Sequence, residues 1–319
     1  MINLSLLLED YLNYMKTIKG VSPNTLREYN YDLQIFFKFL KKRYRLAPAE
    51  LMFDDIDISD VDEIFCSRIN LRDLIAFFSY LDNDRQNINV TRARKTASIR
   101  SFFNYLYKII KVIKEDPSQE LTLPKRNQRH PVYMTLDESL SLLENIDGRN
   151  VERDFAIITL FLNCGLRISE LVSIDIPKIR GDILTVVGKG NKERTVYLNE
   201  ACIAAIENYL PIRHTIDTKE TALFLSERNA RMSVRAVQHM LKRQLKKAGL
   251  DSDKYTPHKL RHTAATLMYK YGDVDIRALQ EILGHASVST TEIYTHIDEE
   301  RLRTAVSKNP LAKNKANNK

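Results

Sequence analysis

Apolar positions near the amino terminus recur at three- and four-residue spacing, placing Leu4, Leu7, Leu8, Tyr11, Leu12 and Met15 on one helical face. Gly20 and Ser22-Pro23 break that pattern. Ser22-Pro23-Asn24-Thr25 then reads as a new helix start, with Ser22 capping and Pro23 in the first turn, ahead of Tyr29, Leu33, Phe36, Phe37 and Leu40. The stretch 46–64 is acidic (Asp54, Asp55, Asp57, Asp60, Asp62, Glu63) and aperiodic, which predicts an inserted loop of unassigned role. Two more helices follow, one through Leu71, Leu74, Ile75 and Phe78, the other carrying Ile99, Phe102, Phe103, Leu106 and Ile110. Periodicity then lapses over 118–131, a polar segment with Pro124, Lys125, Arg126, Arg129 and His130 that reads as a linker.

Beyond the linker, Thr135 and Glu138 have the spacing of a capping box before Leu140, Leu142 and Leu143, and 155–162 is a strongly apolar helix. Short β-branched runs at 182–188 and 195–198 flank Lys189-Gly-Asn-Lys-Glu-Arg194 and predict a hairpin with a basic tip. Helices are expected again near 200–209, 233–248, 258–271, 274–283 and 290–296, and the Lys- and Asn-rich end from 309 is expected to be disordered. The fold class is therefore mainly α with a small antiparallel β-sheet. Four N-terminal helices over 1–117, a linker over 118–131, a mixed α/β domain over 132–308 and a tail over 309–319 make up the expected organisation.

Composition supports two folded domains: 44% of the 319 residues are hydrophobic and 28% charged, enough apolar material for two cores. Forty-nine Lys and Arg against 41 Asp and Glu give a net charge of +8, which favours a polyanionic partner without identifying one. Cys66, Cys164 and Cys202 are odd in number, far apart and in no Cys-x-x-Cys arrangement, so neither a disulfide framework nor a cysteine zinc site is expected. The Leu4 to Leu8 run is soon interrupted by Glu9 and Asp10, and no stretch approaches membrane-spanning length. A cytoplasmic protein with no membrane partner is the expectation.

One cluster of candidate chemistry is His258-Lys-Leu-Arg261-His262, whose spacing puts 258, 261 and 262 on one helical face. A zincin would need Glu directly after the first His, where this chain has Lys259, so no metal is expected. Groups of matching chemistry lie far away in sequence: Arg167, Lys189, His285 and Tyr294. Each has a plainer explanation alone. Arg167 could simply pair with Glu170, Lys189 could be an exposed turn residue, His285 could cap a helix, and Tyr294 is one of 15 tyrosines. Together they fit one task, attack of a side-chain hydroxyl on a phosphodiester, because fixed cations can neutralise the charge that builds on the non-bridging oxygens without a metal. Arginine grips two phosphate oxygens with a planar fork, and a tyrosine hydroxyl of pKa about 10 needs nearby positive charge and a proton acceptor.

The segments Gly165-Leu-Arg167-Ile-Ser-Glu170-Leu171, Gly188-Lys189-Gly-Asn-Lys-Glu-Arg194, His258-Lys-Leu-Arg261-His262, Leu283-Gly-His285 and Tyr294 resemble the signature of the tyrosine recombinases. Ser22-Pro-Asn-Thr25 and Arg100-Ser-Phe-Phe-Asn-Tyr-Leu106 resemble the core-binding domain of their Xer group, so the likeness spans nearly the whole chain. It implies a core-binding domain followed by a catalytic domain, with the two clamping double-stranded DNA. Tyr294 would be the nucleophile, forming a 3′-phosphotyrosine; Arg167 and Arg261 would grip the phosphate; Lys189 would be the general acid, His258 the general base and His285 a hydrogen-bond donor. Glu170 and His262 would be supporting residues, and no cofactor is implied.

Basic residues gain meaning from that likeness. Arg92, Arg94, Lys95 and Arg100 become candidate phosphate contacts on one side of the duplex, with Lys125, Arg126 and Arg129 following the backbone. Arg235, Lys242, Arg243, Lys246 and Lys247 would serve on the other side, Arg235 at a helix start facing the major groove. Ile297, Leu302, Ala305 and Val306 suit a short amphipathic helix of the kind the family passes to a neighbouring subunit, which implies a tetramer with itself or a paralogous recombinase, and a DNA translocase as a further partner. The acidic stretch is longer than the usual Xer connection, and with the core-binding pattern beginning near Leu4 no separate arm-binding domain is expected. Chromosome or plasmid dimer resolution is the role implied, with integration or excision of a small mobile element as the alternative. A regulator that kept the fold but lost catalysis would show erosion of the six residues, and none is seen. A type IB topoisomerase shares the chemistry but not the likeness along the whole chain. A metal-dependent nuclease would lose activity in EDTA.

Overall fold

The computed structural model describes residues 5–48, 50–83, 89–121, 132–188, 193–272, 274–284 and 291, in two compact units, Met1–Gln128 and Arg129–Lys319. In the first unit Ser5 caps α1 (Leu6–Thr17) by accepting from the Leu8 amide, and Ser22 caps α2 (Pro23–Arg43) by accepting from the Thr25 amide, with Pro23 at the helix start. A short α3 (Glu63–Ser67), α4 (Leu71–Asn83) and α5 (Asn89–Asn104) follow, and α5 runs into a π-helical turn, Tyr105–Ile109. The apolar faces meet in an aromatic core. Tyr11 sits edge-on to Phe102 with ring centroids 5.2 Å apart, and Phe36 edge-on to Phe77 at 5.1 Å, the arrangement that sets a ring's positive edge on its neighbour's negative face. The buried stripe of α4 is Leu74, Phe77 and Leu81, whereas Ile75, expected on that face, is exposed.

The acidic stretch is not an open loop. Ile56, Ile58 and Val61 are buried, and a 3-10 turn at Phe53–Asp55 leads towards α3. Lys38 and Lys41 of α2, buried themselves, donate to the carbonyls of Asp54 and Asp57, and Lys41 also pairs with Asp60. Irregularly spaced apolar anchors and lysine-to-carbonyl bonds hold such a strap without any period that a sequence would show.

The second unit opens with α6 (Leu136–Glu144), where Thr135 and Glu138 form the expected reciprocal capping box. Its central element is α7 (Val151–Cys164), buried from Ala156 to Leu162 on nearly every side. After α8 (Ile168–Val172) and a 3-10 turn come β1 (Ile179–Arg180), β2 (Ile183–Val187) and β3 (Glu193–Tyr197), an antiparallel sheet of order β1-β2-β3 in which Val186 opposes Arg194. Then α9 (Glu200–His214), α10 (Val234–Lys247), α11 (Pro257–Tyr271) and α12 (Ile276–Leu283) complete the described chain. The fold is thus mainly helical with one small antiparallel sheet. Cys164 and Cys202, 38 positions apart, meet as buried free thiols with Sγ atoms 3.6 Å apart. Among the described residues no helix is long and apolar enough to cross a membrane.

Candidate active site

Gly165 ends α7 with φ +58°, a left-handed conformation that glycine adopts without strain. A Cβ there would lie 2.8 Å from Leu283 Cδ2, so glycine also lets the end of α12 approach. That turn places Arg167 at the N-cap of α8, one turn before Glu170, which is fully buried. Glu170 accepts from the Arg167 backbone amide at 2.8 Å and from Arg167 Nη1 at 2.7 Å, so the arginine is held from both ends.

Arg261 arrives from α11, whose start is fixed by Pro257 and by Thr256 accepting from the Lys259 amide. It is buried, 4.0 Å from Glu170, and donates to the carbonyl of Gly165 at 2.5 Å and that of Leu283 at 2.6 Å. A third arginine, not singled out from the sequence, completes the group. Arg194 on β3 donates through Nε and Nη2 to the two Glu170 oxygens at 3.2 and 2.9 Å, and through Nη1 to the Ile282 carbonyl at 2.7 Å. Its signal was strand alternation: Arg194 shares a face with buried Val196, and a cation on an inward face needs a buried acid. Burial alone would raise the Glu170 carboxyl, but the hydrogen bonds and charge of Arg194 and Arg167 outweigh it and hold the group below the usual carboxylate range.

His258 and His262, one turn apart on α11, put their Nε2 atoms 3.0 Å apart with rings nearly perpendicular. The His258 ring reaches solvent, yet the atoms crowded behind it, and then the charges of Lys259, Arg261 and Arg167, hold its pKa below the ordinary histidine value. A histidine so placed is neutral near pH 7 and free to accept a proton. The structure therefore gathers Arg167, Glu170, His258, Arg261 and His262 into one site and adds Arg194. Lys189, His285 and Tyr294 lie outside the described residues, as does the segment with Ile297, Leu302, Ala305 and Val306; Thr291, three positions before Tyr294, is buried. Among the described residues no group of three or more His, Cys, Asp or Glu is placed to hold a metal ion.

Residues 132–301 match the phage integrase family, and residues 8–108 match the phage integrase N-terminal SAM-like domain. The chain belongs to this family, the tyrosine recombinases, in its Xer group. The recombinase is 58% identical over 307 residues to the tyrosine recombinase XerC of Caldanaerobacter subterraneus subsp. tengcongensis, covering 96% of this chain and 87% of that one. Its fold is that of the XerH site-specific recombinase bound to a palindromic difH substrate in a post-cleavage complex, at 23% identity and TM-score 0.66 over 95% of each chain. It is equally that of the Tn1549 transposon integrase in complex with transposon right end DNA, at 19% identity and TM-score 0.71 over 94% and 98% of the two chains. As an Xer-type enzyme the recombinase transfers DNA strands at specific sites.

The basic residues of the recombinase divide by partner. In the first unit Lys95 is buried with its ammonium 2.8 Å from Asp32, and Arg94 donates to the same carboxylate at 2.6 Å, so as placed both tie α5 to α2. Arg92 pairs with Asp82 at 2.8 Å, and Arg100 donates to the carbonyls of Ser118 and Leu121, residues that begin the expected linker but here lie against the first core. On α10, Lys242 pairs with Asp253 at 2.7 Å, Arg243 with buried Asp154 at 2.8 Å and Lys247 with Asp147 at 2.7 Å. Arg235 is exposed and has no ion-pair partner among the described residues. Lys125, Arg126 and Arg129 lie outside them.

Proposed function

We propose that the recombinase cleaves DNA by attack of the Tyr294 hydroxyl on a scissile phosphate, forming a 3′-phosphotyrosine and releasing a 5′ hydroxyl. The 5′ hydroxyl of a partner strand then attacks the phosphotyrosine, restores a phosphodiester and frees Tyr294, so two such exchanges make and resolve a Holliday junction. One phosphoester replaces another at each step, and no metal or energy cofactor is required. Arg167 and Arg261 hold the non-bridging oxygens, His258 accepts the tyrosine proton, Lys189 protonates the leaving 5′ oxygen and His285 donates a hydrogen bond to the phosphate. Glu170 orients Arg167, and His262 supports His258.

The observation that carries this reading is the charge of the site: among the described residues one buried carboxylate, Glu170, faces three arginines, of which Arg167 remains a third exposed. A phosphate supplies the missing negative charge, and more of it in the transition state. We place Arg235 in the major groove, and Arg92, Arg100 and Lys242 near backbone phosphates after their present partners exchange. The assembled form is a tetramer on two sites, with itself or a paralogue, serving chromosome or plasmid dimer resolution with a DNA translocase, in the cytoplasm on the nucleoid.

The deciding experiment uses nicked suicide duplexes made from candidate recombination sites, in EDTA. A protein–DNA adduct that survives denaturation and disappears in Tyr294→Phe is expected. An adduct that persists in the Phe variant would falsify the assignment of the nucleophile.

A further inference from the structure

The last carbonyls of a helix lack intrahelical donors, and at the end of α12 each of three successive ones is met by a different arginine. Ile282 accepts from Arg194 Nη1 at 2.7 Å, Leu283 from Arg261 Nη2 at 2.6 Å and Gly284 from Arg167 Nη2 at 2.8 Å. Two of these are the phosphate-holding arginines of the proposed function. Arg194 has no part in that set, and its surroundings differ. Its side chain is 14% exposed, its guanidinium lies along both oxygens of Glu170, and its Cδ sits 2.7 Å from where a Cβ at Gly284 would be. Gly284, at φ +64°, is the last residue before His285. One side chain thus joins β3, the buried carboxylate and the turn that leads to a proposed phosphate ligand.

Removing it changes the balance around Glu170. The two carboxylate oxygens would keep Arg167 as their near hydrogen-bonding cation, with Arg261 4.0 Å away and drawn towards the vacated side. Either arginine would then be pulled towards the acid and away from a phosphate. A second guanidinium bonded to both oxygens of Glu170 prevents this, because each added donor lowers the pull that the carboxylate exerts on the others.

We infer that Arg194 is a positioning residue for strand cleavage, which fixes Glu170 and the end of α12 so that Arg167 and Arg261 hold the geometry the phosphate requires, without itself touching DNA. This rests on the reading that those two arginines grip the scissile phosphate. A brace needed only for folding would show itself in stability and not in the chemistry of the phosphate, which makes the two roles separable.

The test uses the full-length recombinase and the nicked duplex on which the unaltered chain forms its Tyr294-dependent adduct. Single-turnover adduct formation is measured for Arg194→Ala on the normal phosphodiester and on a duplex with a methylphosphonate at the scissile position. A methyl group in place of one non-bridging oxygen removes a negative charge from the transition state, so correct placement of the guanidinium groups matters less. Arg194→Ala is expected to slow cleavage of the phosphodiester by about 10²-fold, the cost of a small misplacement of reacting groups, while band-shift affinity for intact duplex is retained. On the methylphosphonate the deficit shrinks several-fold. Where Arg194→Ala melts below the assay temperature, the comparison is read in Arg194→Lys, which keeps a charge beside Glu170 but cannot bond both its oxygens and Ile282 together; the same selective deficit is expected. A wild-type cleavage rate in the variant, or an equal deficit on both substrates, overturns the positioning role. Failure of the unaltered chain to form any Tyr294-dependent adduct overturns the parent reading and this inference with it.

Discussion

Asp32 in the first unit and Glu170 in the second are both fully buried carboxylates ringed by cations, and they differ in how the charges balance. Around Asp32 stand Arg94 at 2.6 Å and Lys95 at 2.8 Å, with the Ser98 hydroxyl at 3.2 Å, and Arg94 also pairs with Glu28 at 2.8 Å. Among the described residues two acids therefore meet two cations. Around Glu170 the described residues place three arginines against one acid. A balanced buried cluster ties helices together, here α2 to α5. An excess of buried positive charge repels itself and loses hydration, and it is retained where an anionic ligand completes it.

Breaking the balanced cluster should have the larger effect on folding. Asp32→Ala leaves Lys95 buried with its carboxylate gone, a change that costs about 3–5 kcal/mol. The urea midpoint should fall accordingly, while adduct formation per folded molecule on the suicide duplex stays unchanged. Arg167→Ala should do the reverse. Loss of one charge-stabilising donor lowers single-turnover cleavage by about 10²–10³-fold, and the urea midpoint should move less than in Asp32→Ala because Arg194 still holds Glu170. Comparable destabilisation by the two variants would remove the distinction between a balanced cluster and an excess one.

The pH dependence sharpens the same contrast. Burial, Lys259, Arg261 and Arg167 depress the His258 pKa in the folded state, so the unfolded chain takes up this proton more readily than the folded one. The histidine's contribution to stability is therefore present above the ordinary value of about 6.5 and is lost as pH falls below it and through the depressed value of the folded state. For the reaction the sign runs to the same side. His258 stays unprotonated through neutrality, so adduct formation should be flat there and decline only in acid, below the ordinary histidine range. Lys259→Ala removes a nearby positive charge, raises the His258 pKa and should move the acid limb of the rate profile to higher pH. An acid limb that stays in place would mean that another group limits the rate.

Much of this was legible from periodicity and capping. Ser22-Pro23 starts α2 and Thr135 with Glu138 starts α6, because caps act through bonds three residues apart. Arg167, His258 and Arg261 also came together as the motifs implied, with Glu170 between the arginines. What could not be read were partnerships across the fold. Lys95 reads as a phosphate-binding residue until its acid, 63 positions away, is known, and Arg194 reads as a turn residue until its strand's inward face is. The strap over 46–64 had no period because it is held by the scattered buried side chains Ile56, Ile58 and Val61 and by lysines of α2 bonded to the Asp54 and Asp57 carbonyls.

The smallest expected effect lies on α10, where the same division by partner can be tested within one helix. Arg235 is exposed with no ion-pair partner among the described residues, whereas Arg243, two turns on, is bonded to buried Asp154 at 2.8 Å. If cations bonded to a buried acid serve the fold and those without such a bond serve DNA, Arg235→Ala should weaken band-shift binding and flatten its dependence on salt by about 0.9 in log–log slope, the loss of one phosphate neutralised. A base contact in place of a phosphate contact would instead relax sequence preference, by about 1–3 kcal/mol at one base pair, with the slope kept. Arg243→Ala should leave both slope and preference alone and lower the urea midpoint, since Asp154 then keeps Arg153 and Gln244 but loses a cation. Should Arg243→Ala flatten the salt dependence as much as Arg235→Ala, a cation bonded to a buried acid would also be reaching DNA. In that case Arg94, whose side chain is a third exposed beside Asp32, would return as a phosphate contact of the first unit.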